Sequence, residues 1–376
     1  MTATIPQNPA HEAMLQQALL HYQAKRWEAA ETLYREIMRA DPCHADTINE
    51  LGRTLLKQGR LEEASQLFQR LIALKPNLAL PYRNLGITLC GMGKLEESFA
   101  SFRRHAELSY GQSKTPATQD NPIPAHKDLH DQEQSDYLTN LGTAPLNHAF
   151  HIEGGARVVG RAVNPDVAPD DIAAAWQNKR PRIVVIDNFL SDEALDGLRR
   201  FCLGSTIWRL TYTAGYLGAM PEHGMGSPLL AQITDELRAT YPAILRAHPL
   251  QQFWGFKYDS RQSGIAIHAD FAAVNVNFWI TPDDANLDPA SGGMIIWDQP
   301  TPQDWDFAAY NDDETLARRF LLKSGARPVT VPYRSNRVVI FDSSLFHETD
   351  RLAFKPGYEN RRINITLLYG RREATG

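Results

Sequence analysis

The chain has 376 residues, 43% of them hydrophobic and 22% charged, with a formal net charge of 39 − 44 = −5. That length predicts two or three domains, and the acidic balance argues against nucleic acid as the main partner. Cys43, Cys90 and Cys202 lie far apart with no CxxC pair, which excludes a disulfide framework or a cysteine zinc cluster and fits a reducing compartment. The first residues carry no basic-then-apolar leader and no run of about 18 apolar residues occurs. The expectation is a cytoplasmic protein without a membrane span.

The first third repeats itself. Pro42 and Pro76 stand 34 residues apart, as do Leu51-Gly52 and Leu85-Gly86. Ala30, Ala64 and Ser98 keep the same step, and so do Tyr34, Phe68 and Phe102. Small residues let two helices approach closely, and an aromatic residue fills the gap to the next hairpin. Gln17-Ala18 stands where the later repeats have Leu-Gly, so the first repeat reads as a cap. The pattern resembles the tetratricopeptide repeat, with repeats over residues 9–110 forming an α-solenoid. The resemblance implies a concave groove for a protein or peptide, with homo-oligomer assembly as the alternative. Lys57, Arg60, Arg83, Asn84 and Lys94 are candidate groove residues, although each taken singly reads as solvated surface. Glu62-Glu63 and Glu96-Glu97 recur with the repeat and read as solvated helix starts.

Residues 111–181 read as a linker and connecting helix. The stretch 109–125 is polar and Pro-rich. Leu129, Tyr137, Leu138 and Leu141 fall at near-helical spacing and are expected to dock the helix, and 148–163 predicts a short hairpin. From 182 the texture changes. Residues 182–190 read as a buried strand. Ser191 caps a helix, and Ser227 with Pro228 opens another that runs to 245. Short β-rich runs follow at 251–258, 273–280, 292–297, 327–333, 336–341 and 362–369. Two helices followed by many strands predict an antiparallel jelly roll with supporting helices over 182–372.

The chemistry-bearing residues lie in this part. His268 and Asp270 alternate along an extended segment and share a face. His347 follows 347 − 268 = 79 residues later, after a second apolar strand. Two imidazoles and one carboxylate can occupy one face of an octahedral metal and leave three positions open, which suits Fe(II) and oxygen chemistry. His126-Lys127-Asp128 has the same spacing but sits at a linker–helix junction and is set aside. Arg362 alternates with Asn364 and Thr366, while Arg361 shares the parity of Ile363, Ile365 and Leu367. The guanidinium of Arg362 is therefore the one expected on the polar face. Asn275 and Asn277 share a strand face that reads slightly better as solvated than as cavity wall. Ser291-Gly292-Gly293 reads as a backbone turn that opens a strand.

The order His268, Asp270, His347, Arg362 resembles the Fe(II)/2-oxoglutarate-dependent oxygenases, in their prolyl-hydroxylase-like branch, over roughly the last half of the chain. The resemblance implies a double-stranded β-helix with Fe(II) on His268, Asp270 and His347. It implies 2-oxoglutarate as co-substrate with its far carboxylate on Arg362, and O2 as oxidant. Tyr258, Asn277 and Asn364 are further candidate co-substrate contacts. Tyr258 serves equally well as a core aromatic, and Asn364 stands where the family often has Ser or Thr. The implied activity is hydroxylation of a protein or peptide side chain presented by the repeats. A small-molecule hydroxylase and a non-catalytic adaptor are the alternatives. Residues 350–360 read as a hairpin, and the insert 298–323 is expected to cover the pocket mouth.

Overall fold

The computed structural model describes residues 9–111, 123–142, 150–164, 168–259 and 264–372. The chain divides into two compact units, Met1–Ser109 and Tyr110–Gly376.

The first unit is built from α1 (Pro9–Gln23), α2 (Trp27–Ala40), α3 (Ala45–Lys57), α4 (Leu61–Leu74), α5 (Ala79–Gly91) and α6 (Leu95–Tyr110). Gly59 and Gly93 take positive φ in the turns before α4 and α6, a conformation glycine adopts without steric penalty. The repeating small and aromatic positions meet directly. A Cβ on Gly52 would stand 2.7 Å from the Phe68 ring, and one on Gly86 would stand 2.9 Å from the Phe102 ring. Each ring therefore lies on the glycine of its own hairpin, and Phe68 also shares a core with Leu85 and Leu89 of the next. Ala18 and Tyr34 are fully buried in that same core. Two of the candidate groove residues are structural instead. Arg60 pairs with Glu31 at 2.8 Å and Glu63 at 2.6 Å, and buried Asn84 donates to Asn49 Oδ1 at 2.9 Å. Lys57 and Lys94 are exposed.

The second unit holds two antiparallel sheets. Its strands are β1 (Ile183–Ile186), β2 (Leu210–Thr211), β3 (Leu217–Ala219), β4 (Leu250–Tyr258), β5 (Val274–Trp279), β6 (Met294–Pro300), β7 (Pro328–Val331), β8 (Val338–Asp342), β9 (Leu345–Thr349) and β10 (Arg362–Tyr369). The larger sheet runs β1-β8-β5-β10-β4-β3-β2 and the smaller runs β7-β6-β9. They pack face to face through a core that joins Trp279, Val339 and Phe341 to Met294, Ile296, Val331 and Leu345. Around them lie α7 (Ala125–Asn140), α8 (Pro169–Asn178), α9 (Asp192–Gly204), α10 (Pro228–Thr240), α11 (Pro242–Leu245), α12 (Phe307–Asn311) and α13 (Glu314–Ser324). Helices cover the outer face of the large sheet, where the Tyr369 hydroxyl donates to Thr234 O of α10 at 3.4 Å. With both faces covered, every residue of β5 and of β10 is buried. No described helix is long and apolar enough to cross a membrane.

The capping serines act as expected: Ser191 Oγ accepts from Ala194 N at 3.3 Å and Ser227 Oγ from Leu230 N at 3.1 Å. Several other expectations need correction. Pro242 removes a backbone donor, so the helix opened by Ser227 breaks at Tyr241 and restarts as α11. β1 is an edge strand with Val185 42% exposed, not a buried one. Helix α7 buries His130, Gln134 and Leu138, one face at a spacing of four, and leaves Leu129 and Leu141 exposed. Its docking is partly polar. Gln134 Nε2 donates to the Leu203 and Ser205 carbonyls at 2.9 Å each, and Glu133 pairs with Arg361 at 2.8 Å. In place of a hairpin at 148–163, residues 150–162 are irregular and Val163 makes a single bridge to Leu190; 148 and 149 lie outside the described residues. Residues 350–360 also form no hairpin, because Phe354 bridges Asn286 rather than its own segment.

Candidate active site

His268 and His347 are brought together by backbone. They form an isolated antiparallel bridge, with His268 N bonded to His347 O at 3.0 Å and His347 N to His268 O at 2.8 Å. Asp270 N is held by Ser343 O at 3.2 Å. The ligand atoms of His268, Asp270 and His347 all lie within 4.8 Å of one another, and His347 Nε2 is 3.4 Å from Asp270 Oδ2. His268 Nδ1 lies 2.8 Å from Ala266 O, and His347 Nδ1 lies 3.1 Å from Leu345 O. A carbonyl oxygen can only accept, so both Nδ1 atoms donate, which leaves Nε2 as the ring nitrogen that could meet a metal. That is the arrangement outer hydrogen bonds give to metal-binding histidines. Burial, followed by the neighbouring His347, pushes His268 down to about 4. Burial alone would raise the Asp270 carboxyl, but the hydrogen bond and charge of His347, with the charges of His268 and Arg372, hold it below the usual carboxylate value. At neutral pH His268 is thus uncharged and Asp270 ionised, the protonation states a divalent metal requires.

The insert 298–323 does not line the cavity beside these residues. It braces the ligand turn from outside. Ala269, between the candidate ligands His268 and Asp270, donates its N–H to Tyr310 O at 3.0 Å and accepts from Asn311 Nδ2 at 3.2 Å. Ala269 also shares an apolar cluster with Tyr310, Ala317, Leu321 and Phe346. The insert carries its own apolar stripe, and the nearest apolar partner is the back of the His-Ala-Asp turn.

The cavity beside His268, Asp270 and His347 is open on one side and holds ≈ 40 Å³ of free space, room for a few ordered waters at roughly 10–15 Å³ each. Strand register supplies its walls. Arg362, Asn364 and Thr366 of β10 stand opposite Tyr258, Phe256 and Trp254 of β4, and all six face the cavity with the three candidate ligands. Arg362 is 2% exposed. Its Nε donates to Gly292 O at 2.7 Å and its Nη2 to Gly293 O at 3.1 Å. Its Nη1 has no partner among the described residues, and Cζ lies 4.9 Å from the Tyr258 ring centroid. Burial pulls the Arg362 pKa below its usual value, with Tyr258 and Tyr333 opposing. Burial also raises the Tyr258 hydroxyl. A buried guanidinium with an unused donor is suited to a carboxylate. Arg361 faces the other side of the sheet and pairs with Glu133 and Asp259, at 2.8 and 3.3 Å.

Asn275 and Asn277 are 0% and 5% exposed, which corrects the solvated reading. Asn275 Nδ2 donates to Asp270 Oδ2 at 2.6 Å. The Gly292-Gly293 turn does more than open a strand: its two carbonyls hold Arg362. A Cβ on Gly293 would stand 1.9 Å from Val331 O, so glycine is what lets β6 and β7 close there. Sequence reasoning also missed Trp279 and the role of Thr366. The signal available was the alternation Asn275, Asn277, Trp279 against Val274, Val276, Phe278, which places three polar-tipped side chains on one face.

A family model described as tetratricopeptide repeat matches residues 21–85. No match was found among curated proteins. Solved structures similar to this chain include the Arabidopsis OM64 tetratricopeptide domain, at 20% identity over 27% of this chain and 83% of that one, with a TM-score of 0.26. A MamA variant matches at 24% identity over 28% of this chain and 76% of that one, with a TM-score of 0.26. The second such domain of Spaghetti (RPAP3), bound to an HSP90 peptide, matches at 20% identity over 26% of this chain and 91% of that one, with a TM-score of 0.26. The family match places tetratricopeptide repeats in the N-terminal region, at residues 21–85.

Proposed function

We propose that the C-terminal unit is a double-stranded β-helix oxygenase that uses Fe(II), 2-oxoglutarate and O2 to hydroxylate a substrate carbon. One observation carries the reading. A cluster of two imidazoles and a carboxylate shares a cavity with a buried arginine whose Nη1 lacks a partner among the described residues. The bound metal would supply oxygen activation coupled to oxidative decarboxylation of the co-substrate. The chain's residues bind and orient. His268 and His347 offer Nε2, and Asp270 offers its carboxylate. Arg362 Nη1 receives the far carboxylate of 2-oxoglutarate while Gly292 O and Gly293 O fix the guanidinium plane. Tyr258, Phe256 and Met294 give that end of the cavity an apolar wall that keeps water from the ion pair.

The test is succinate formation from 2-oxoglutarate with Fe(II) and O2 in the absence of added substrate, with His347→Ala as background. Turnover above that background is expected. Succinate at background level overturns the reading and leaves the non-catalytic adaptor.

The repeats suit a partner protein or an extended peptide. On this reading they hold the substrate chain beside the oxygenase and raise its local concentration. Residues 120–376 alone should then keep substrate-free decarboxylation but lose hydroxylation of the macromolecule through a higher KM. Equal hydroxylation by the full and shortened chains would assign the repeats to assembly.

A further inference from the structure

We propose that Asn275 and Trp279 are positioning residues for the metal site: a one-way chain of side-chain hydrogen bonds runs from Trp279 through Asn364, Asn277 and Asn275 to Asp270 and fixes the plane of its carboxylate. This rests on the metal reading above.

The direction of the chain is set at both ends. Trp279 Nε1 can only donate, and it donates to Asn364 Oδ1 at 3.0 Å. The Asn364 amide is thereby oriented, and its Nδ2 donates to Asn277 Oδ1 and to Thr366 Oγ1, both at 3.0 Å. Thr366 passes its own proton to Asn277 Oδ1 at 2.9 Å. Asn277 Nδ2 then donates to Asn275 Oδ1, and Asn275 Nδ2 donates to Asp270 Oδ2 at 2.6 Å. The last group is a carboxylate, which when ionised can only accept. Donor-only and acceptor-only ends agree, so turning any one amide over disturbs at least two contacts. Water offers little rescue, since Asn275 and Trp279 are 0% exposed and the others 4–6%. The amide dipoles all point their positive ends toward Asp270, and each bond polarises the next. The far end touches the other half of the cavity, for Arg362 Cζ lies 5.5 Å from the Trp279 ring centroid. The same residues thus back both the metal carboxylate and the arginine.

The test uses Co(II) as the probe on the full chain, titrated by its visible absorption. Asn275→Ala is expected to weaken Co(II) binding by about 10–100-fold and to shift the bands, as loss of an outer partner does. Trp279→Phe keeps an aromatic ring but removes the first donor. It is expected to shift the bands in the same sense with a loss of roughly threefold or more. A role in packing alone would not reach the metal spectrum from Trp279. If Asn275→Ala does not fold by circular dichroism, Trp279→Phe and Thr366→Val carry the test. Binding within about twofold of the parent with unchanged bands in the folded variants overturns the inference and leaves the metal site standing. No Co(II) binding by the parent chain overturns both.

Discussion

Arg361 and Arg362 are neighbours in sequence and face opposite sides of β10, one paired with Glu133 and Asp259, the other turned into the cavity with Nη1 unpartnered. Their substitutions should therefore separate. Arg362→Ala is expected to weaken 2-oxoglutarate binding by about 2–5 kcal/mol, the loss on truncating one partner of a buried charge pair. Arg361→Ala should leave that affinity nearly unchanged and lower stability, because it removes the ion pairs of Arg361 with Glu133 and Asp259. Calorimetric titration of 2-oxoglutarate under anaerobic conditions, with thermal melts alongside, checks both. Equal loss of affinity in the two variants would contradict the facing of the strand.

His268→Ala and His347→Ala should each abolish Fe(II) binding and succinate formation while the protein stays folded. An open catalytic site is not a main source of stability, and the bridge between residues 268 and 347 is made by backbone atoms that alanine retains. Metal content after anaerobic reconstitution, read with near-ultraviolet circular dichroism, separates loss of metal from loss of fold.

Lys257 supplies a pH test away from the candidate metal site. It is 0% exposed, its Nζ has no hydrogen-bond partner among the described residues, and it lies 3.7 Å from the Tyr358 ring centroid. Burial, then the nearby Arg361, depresses its pKa well below the ordinary lysine value. In the window between that lowered value and about 10.4, the unfolded chain binds a proton that the folded chain does not, so stability rises with pH. Lys257→Met removes an unsatisfied buried amine and is expected to stabilise at pH 7 by about 1–3 kcal/mol. The difference should shrink as pH approaches about 10. Urea titrations at pH 7 and 9.5 measure it, and a gain that grows with pH would contradict the assigned shift.

Gly52→Ala sets two magnitudes against each other. Alanine favours a helix over glycine by roughly 0.5–1 kcal/mol, but the new Cβ stands 2.7 Å from the buried Phe68 ring. Overpacking of that kind costs about 1–3 kcal/mol, so net destabilisation is expected. A companion Gly52→Ala, Phe68→Leu pair should recover part of it. Thermal melts of the three proteins decide.

The repeats were legible because their spacing is set by helix packing, and Gly52, Phe68, Gly86 and Phe102 report it directly in the sequence. Strand parity along β10 was equally readable, since alternation at 362, 364 and 366 needs no tertiary information. Other features depended on what lies across from a residue. Asn275 and Asn277 look like a solvated face until β10 and the smaller sheet are in place. The buried side of α7 was legible in part: Leu138 is buried and Tyr137 meets the Tyr358 ring, but Gln134 and Glu133 dock it to groups about 70 and 228 residues away in the chain. The insert 298–323 was misplaced because an apolar stripe names no partner.

The bridge between His268 and His347 also bears on motion. It joins the approach to β5 with β9 of the smaller sheet by two backbone hydrogen bonds, across 79 residues of intervening chain. A metal on the two Nε2 atoms would tighten a clasp that these bonds hold shut together with Thr349 N to Ile265 O at 3.0 Å and Asp270 N to Ser343 O at 3.2 Å. Amide protons at 268 and 347 should therefore exchange with solvent faster in metal-free protein than in loaded protein, and the edge where the two sheets meet should breathe in step with occupancy.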